Sequence, residues 1–336
     1  MFICKIWKGY SVKEKNITIE YIKGVAIISV ICAHCNAILD TSNRMAVFSS
    51  LLLQNFGTLG VICFFVISGI LFHYPENGIR KFLKKKVKNI IFPWLISATC
   101  VYLYVHLRKP PLSINGWLNF VFGNGSYCYY LTVLMILYIT FIILSFLRTN
   151  VGLLLCEGVT IIFSIWFWKY SDINPYLNIL NWIGYFALGI QIAKYPTIWS
   201  HVKNIICTKF FSSSIVLGYM ILLGYQIYNQ KGGSYWDGIN VIACWSGATT
   251  LALFAHYLVN VKNCKLSKII HQIGVDSFAI YIWHMPIAGI VARIMCIDLF
   301  SYFVLIRPIV VLGLIYIFFG CVKKIFPKRV RYYIGI

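Results

Sequence analysis

Apolar residues gather into ten windows long enough to cross a bilayer, at residues 17–39, 54–74, 88–107, 127–147, 151–168, 178–194, 210–228, 239–259, 274–296 and 299–321. A hydrocarbon core of about 30 Å takes roughly 20 helical residues, and a spanning segment must satisfy its own backbone hydrogen bonds. The pattern therefore predicts an all-α integral membrane protein, a bundle of about ten transmembrane helices. No linker is long enough to hold a soluble domain, so residues 1–336 read as a single transmembrane domain with basic tails at 1–16 and 322–336. Pro286 and Pro308 fall inside windows and are expected to kink their helices.

Polar residues that interrupt these windows are the candidates for chemistry, because an ionisable group inside the bilayer is costly. The first window reads EYIKGVAIISVICAH from Glu20 to His34. At about 100° per residue, Lys23 and His34 point within roughly 20° of one another, and Glu20 lies about 60° from Lys23. A rise of about 1.5 Å per residue separates Lys23 from His34 by about 16 Å. The spacing predicts a polar track running into the bilayer, with Glu20 an i,i+3 partner for Lys23. His284 and Arg293 interrupt the ninth window in the same way. A lone membrane histidine serves equally well as an interhelical hydrogen-bonding group.

Charge adds a direction. The chain carries 30 Lys and Arg against 9 Asp and Glu. With ten spans, 22 of the basic residues fall on the side of the two termini and five on the other, with Lys23, Arg293 and Arg307 in or at the edges of spans. By the positive-inside rule both termini are cytoplasmic. The composition, 60% hydrophobic and 12% charged, lies far from that of a soluble domain and argues against a nucleic-acid partner. The 12 cysteines read as small buried hydrophobes, with neither a disulfide framework nor a zinc or other metal site expected. The basic N-terminus lacks the compact apolar core of a signal peptide.

Six cations, Arg80, Lys81, Lys84, Lys85, Lys86 and Lys88, crowd the loop after the second window. Such a cluster fixes topology and attracts anionic lipid, and it is also suited to holding the phosphates of a cytoplasmic ligand. The second window contains FFVISGILF, where Ser68 and Gly69 allow close helix approach.

Four phrases in order, E-x-x-K-G-x-A-x-x-x-V-x-x-x-H, FFVISGILF, the basic run into IIFPW and SFAIYIWHMPI, resemble the acyltransferase 3 family. These are ten-helix membrane acyltransferases that include a branch of surface-sugar O-acetyltransferases. YFALGIQIAKY resembles the family's Gly-containing sixth helix. Lys23 and Lys88 stand where many members have Arg, and Tyr129 stands where many have Trp.

The resemblance implies transfer of an acyl group, acetyl above all, from cytoplasmic acyl-CoA to a hydroxyl of a cell-surface or lipid-linked sugar. It implies His34 as catalytic base, with Lys23 and Glu20 beside it, Lys85, Lys86, Lys88 and Ser68 on the donor, and His284, Tyr281 and Tyr129 as acceptor or supporting groups. No tightly bound cofactor is expected, since acyl-CoA is a substrate. Expected partners are acyl-CoA, a carbohydrate or lipid-linked glycan, membrane lipid and separate glycan-assembly proteins, at a bacterial plasma (inner) membrane. The alternative is a polytopic transporter or flippase for a glycan or lipid-linked precursor, in which the same intramembrane charges line a path.

Overall fold

The computed structural model describes residues 12–35, 43–75, 78–106, 112–261, 264–294 and 303–336, as backbone alone at 12–16 and 303. Among these, every regular element is helical. The order begins α1 (Val12–His34), α2 (Arg44–Ile70), α3 (Ile79–Lys86), α4 (Phe92–His106), α5 (Ile114–Phe122), α6 (Tyr129–Ile143), α7 (Asn150–Ile162) and α8 (Ile183–Lys194). It continues with α9 (Pro196–Ile206), α10 (Lys209–Tyr228), α11 (Gly238–Asn260), α12 (Lys265–Val275), α13 (Ser277–Ile294), α14 (Phe303–Ile325) and α15 (Lys328–Tyr333).

Eight helical stretches among the described residues are long and apolar enough to cross a membrane, and the chain is an all-α integral membrane protein. The windows at 127–147 and 178–194 hold shorter helices, α6 with 15 residues and α8 with 12. Both nevertheless run between the same two ends of the bundle. α6 starts beside the aromatic cluster of Tyr129, Tyr176 and Trp182. It finishes where Arg148 donates to the Phe141 and Ile142 carbonyls and lies over the Tyr74 ring, next to the basic segment. α8 begins at Trp182 in that aromatic cluster and ends at Lys194, whose ammonium donates to the Arg148 carbonyl. Arg148 thus closes the end of α6, where carbonyls have no intrahelical partner, and Lys194 ties the end of α8 to the same place.

α1 is the hub, in contact with α2, α11, α12, α13 and α14. Its Ala26, Ile27 and Ile31 are fully buried. Lipid-tail solvation leaves no hydrophobic drive between helices in a bilayer, so close contact depends on small residues and hydrogen bonds. α1 and α2 use both. A Cβ on Gly60 would strike the Ala26 carbonyl, and one on Gly57 would strike the Ala33 backbone. Between these contacts the Ser29 hydroxyl donates to the Phe56 carbonyl at 2.6 Å and accepts the Gly60 N–H at 2.9 Å. This seam fixes the rotation of α1 about its axis, and with it the direction of His34.

The helix leading into α4 widens at Val87–Ile91 into a π-helical turn, in which the Phe92 N–H reaches back to the Val87 carbonyl. Pro93 accounts for it, because proline has no N–H to return to residue 89 and its ring crowds that carbonyl. The extra residue rotates the basic helix relative to α4.

Candidate active site

His34 is the last residue of α1 and half-buried. It stands in the wall of a cavity of about 660 Å³ that also takes in Gly57, Thr58 and Val61 of α2 and Tyr104 of α4. Further wall comes from Tyr127 and Tyr129 before and at the start of α6, Tyr176 and Tyr235 from loops, and Pro286, Gly289 and Arg293 of α13. By chain direction these segments share one end of the bundle. The basic helix α3 follows the opposite end of α2 and precedes the opposite end of α4, so cavity and cations lie at opposite ends.

The histidine that meets His34 is His284, with ring centroids 5.1 Å apart. His284 is fully buried. Its Nδ1 lies 2.6 Å from the Tyr281 carbonyl oxygen, an acceptor, so Nδ1 carries the proton. Nε2 is then a lone-pair nitrogen, and among the described residues it has no hydrogen-bond partner although it is buried. A buried polar atom left unpaired costs roughly 1–3 kcal/mol, and such atoms cluster where a ligand or a proton is to be received. Tyr281 holds the arrangement from below. Its hydroxyl donates to the Tyr127 carbonyl, and the Tyr127 hydroxyl donates to the Ile282 carbonyl at 3.1 Å. The two tyrosines clasp α13 to the loop before α6, and the Tyr127 ring packs 5.4 Å from His284. Tyr129 lines the cavity itself, with its hydroxyl 3.5 Å from that of Tyr235.

The remaining residues expected at the site lie elsewhere. Glu20 makes its close contact with His271 of α12 at 2.6 Å, while Lys23, its i,i+3 neighbour, interacts with it electrostatically from farther away. α12 can reach it because Gly274 presents no Cβ to the Glu20 carbonyl, and the Tyr21 hydroxyl, 2.6 Å from Ser267 Oγ, ties the same two helices. Lys23 is half-buried and lines no part of the cavity. Between Lys23 and His34 the shared face is closed by Ile27 and Ile31, both fully buried in the core. The continuous polar track expected along α1 is therefore interrupted by apolar packing.

At the basic end Lys85, Lys86 and Lys88 diverge. Lys86 turns inward, its ammonium 4.1 Å from the Tyr138 ring centroid and 5.2 Å from that of Phe82. Lys85 is exposed, and Lys88, within the π-helical turn, lies 5.4 Å from the Tyr332 ring. Ser68 is hydrogen-bonded to the Tyr130 hydroxyl at 3.1 Å, and the Tyr130 ring packs 5.5 Å from Tyr281. Lys86, Tyr138, Ser68, Tyr130 and Tyr281 thus form an interrupted ladder of polar groups between the basic end and the histidines.

The structure brings together His34, His284, Tyr281 and Tyr129, and leaves Glu20, Lys23, Lys85, Lys86 and Lys88 at the far end, with Ser68 between. His271, Tyr127, Tyr130 and Tyr138 were not read from the sequence. Tyr130 directly follows Tyr129 in the sequence CYYLTVL and so lay next to an expected site residue, whereas His271 had no such signal. Cys32 and Cys35 bracket His34 as a C-x-x-C and are both buried and unpaired by disulfide. This spacing is the one that draws attention to redox or metal chemistry, but among the described residues no group of three or more His, Cys, Asp or Glu is placed to hold a metal.

Comparison with curated proteins and with solved structures gives no match. The profile of the acyltransferase 3 family, described as an acyltransferase domain, matches residues 16–323, nearly the whole chain. It spans all four sequence phrases and both His34 and His284, so this chain belongs to the acyltransferase 3 family and is a membrane acyltransferase.

Proposed function

We propose that the protein transfers an acyl group, acetyl above all, from cytoplasmic acyl-CoA to a hydroxyl of a cell-surface or lipid-linked sugar, with His34 as the base. The observation that carries this reading is His34 in the wall of a cavity rich in tyrosine, with the buried His284 ring packed behind it. A neutral imidazole, with an ordinary pKa near 6.5, suits proton removal from an acceptor hydroxyl. The tyrosine rings offer flat faces to the apolar sides of sugar rings, and Gln54, Thr58 and Ser126 offer hydrogen bonds around them.

The reaction follows from these parts. His34 takes the proton of the acceptor hydroxyl as its oxygen attacks the thioester carbonyl. The tetrahedral species then expels the thiolate of CoA, which recovers a proton from the imidazolium. The free Nε2 of His284 supports a role in orienting His34 or sharing its proton.

The basic end supports a donor side. Lys86 and its neighbours suit the phosphates of CoA, and the ladder through Tyr138, Ser68 and Tyr130 offers hydroxyls to the amide-bearing arm that links those phosphates to the thioester. The closed face of Ile27 and Ile31 makes this route better than one along α1. In this reading both termini and the basic helix face the cytoplasm, and the cavity faces the other side, where the acceptor enters.

The test is mass spectrometry of surface glycans from cells with the wild-type gene, without it, and with His34→Ala. Loss of one acyl mass in both altered strains, with the glycan otherwise retained, supports the reading. A transporter predicts a lost or stranded glycan instead, and an unchanged acyl mass with His34→Ala removes His34 from the chemistry.

A further inference from the structure

The cavity has one strongly charged side chain among its described lining residues. Arg293 lies on the face of α13 that supplies Pro286 and Gly289, spaced three and four residues apart, so one helical stripe lines the wall up to the arginine. It is exposed and sits at the rim. No Asp or Glu is among the described residues lining the cavity, and no described ion pair holds the guanidinium. The residue also stands apart from the general distribution of charge, because the end of the bundle at which it lies is poor in cations. An exposed arginine at the rim of a cavity, with no described carboxylate to engage it, leaves its guanidinium donors available to an anionic group that enters there.

We infer that Arg293 is the specificity residue for an acceptor carrying an anionic group, a carboxylate or a phosphate, bound at the cavity rim. The inference rests on the acyl-transfer reading for its meaning, and on Arg293 alone for its test. Guanidinium binds either anion bidentately, with two parallel N–H donors. Nine residues separate His284 from Arg293 on α13, about 13 Å along the axis. The anion therefore belongs to a unit beyond the acylated ring, as a uronate neighbour or as the phosphate that links a glycan to its lipid. The tyrosines between the two points hold the intervening sugar, and neutral chains of the same shape lose the rim contact.

Binding tests this without requiring turnover. The full chain in nanodiscs of zwitterionic lipid is titrated with three disaccharide probes that differ in one group: a uronate, its neutral methyl ester and a glycosyl phosphate. At least one charged probe is expected to bind roughly tenfold more tightly than the ester, the scale of a charge-assisted hydrogen-bonded pair. Arg293→Gln is expected to abolish that preference and Arg293→Lys to retain part of it. Preference for the uronate assigns the anion to a sugar carboxylate, and preference for the phosphate assigns it to the lipid linkage.

Equal or undetectable binding of charged and neutral probes overturns the inference, as does a preference that survives in Arg293→Gln. Loss of the preference when the nanodisc lipid is made anionic also overturns it, by assigning Arg293 to a lipid headgroup. Folding of each variant is read from its gel-filtration profile. His34→Ala is expected to keep the charge preference, so a failed acyl-transfer reading and a failed anion site give different results.

Discussion

The two ends of the bundle solve different problems with different chemistry. The end holding His34 is open, walled by tyrosines, and carries one arginine at its rim among the described lining residues. The end holding α3 is rich in exposed cations, and the helices behind it are sealed by Ile27, Ile31 and Phe65, all fully buried. An open aromatic pocket suits a ligand bound by shape with a few directed hydrogen bonds. A cationic helix suits phosphates held by charge, which tolerate variable geometry. Under the proposed reading, with donor and acceptor on opposite sides, such a seal keeps the two sites from joining into an open channel that would leak ions and water.

The largest expected effect falls at the open end. His34→Ala should lower kcat by roughly 10³-fold, within the 10²–10⁴ range of general-base catalysis, measured as CoA release by purified protein in lipid. A near-wild-type rate would move the chemistry away from the cavity. Gly57→Leu should be nearly as damaging for a different reason, because its side chain enters the Ala33 backbone. Overpacking costs about 1–3 kcal/mol or more, so thermal unfolding in detergent should shift down with the loss of activity. An unshifted transition would show that the α1–α2 seam tolerates separation.

His284→Ala should lower kcat about 10–100-fold with little change in the acceptor KM, as expected for a group that acts through His34 during proton transfer. A change confined to KM would make it an acceptor contact. At the basic end Lys86→Gln should raise the donor KM by a few-fold to about tenfold, in line with a charge-assisted contact of about 1.5 kcal/mol, and Lys85→Gln should do less because that side chain is exposed. Equal effects would show that the cluster acts only as diffuse charge. The smallest effect belongs to His271→Ala. Its contact with Glu20 is partly exposed, and such surface contacts contribute about 0–1 kcal/mol. A large loss of activity there would give the α1–α12 contact a place in the donor path.

Some of this was legible in advance. The apolar windows located every helix that carries the site, and intramembrane histidines singled out His34 and His284 before any contact was known. The basic run marked the opposite end. Helical spacing was incomplete at Glu20, whose carboxylate interacts with Lys23 but makes its close contact with His271, because Gly274 lets α12 approach α1. It misled between Lys23 and His34, since a shared face says nothing about what the neighbouring helices pack against it. The windows exceed α6 and α8 because Arg148 caps the carbonyls at the end of α6, and because the buried Asn181, bonded to the Pro175 carbonyl, holds a non-helical segment before α8.

Sequence by itself determined what depends on local solvation and nearest neighbours along the chain: the helices, their burial in lipid, the charge bias between their ends, and the motif phrases of an acyltransferase. Only the tertiary structure decided which polar groups meet. His34 and His284 come from helices far apart in the chain, and their contact depends on α1 being locked to α2 by Gly57, Gly60 and Ser29 and on α13 being clasped by Tyr127 and Tyr281. Those contacts arise from backbone approach between distant segments, and no periodicity within either segment encodes them.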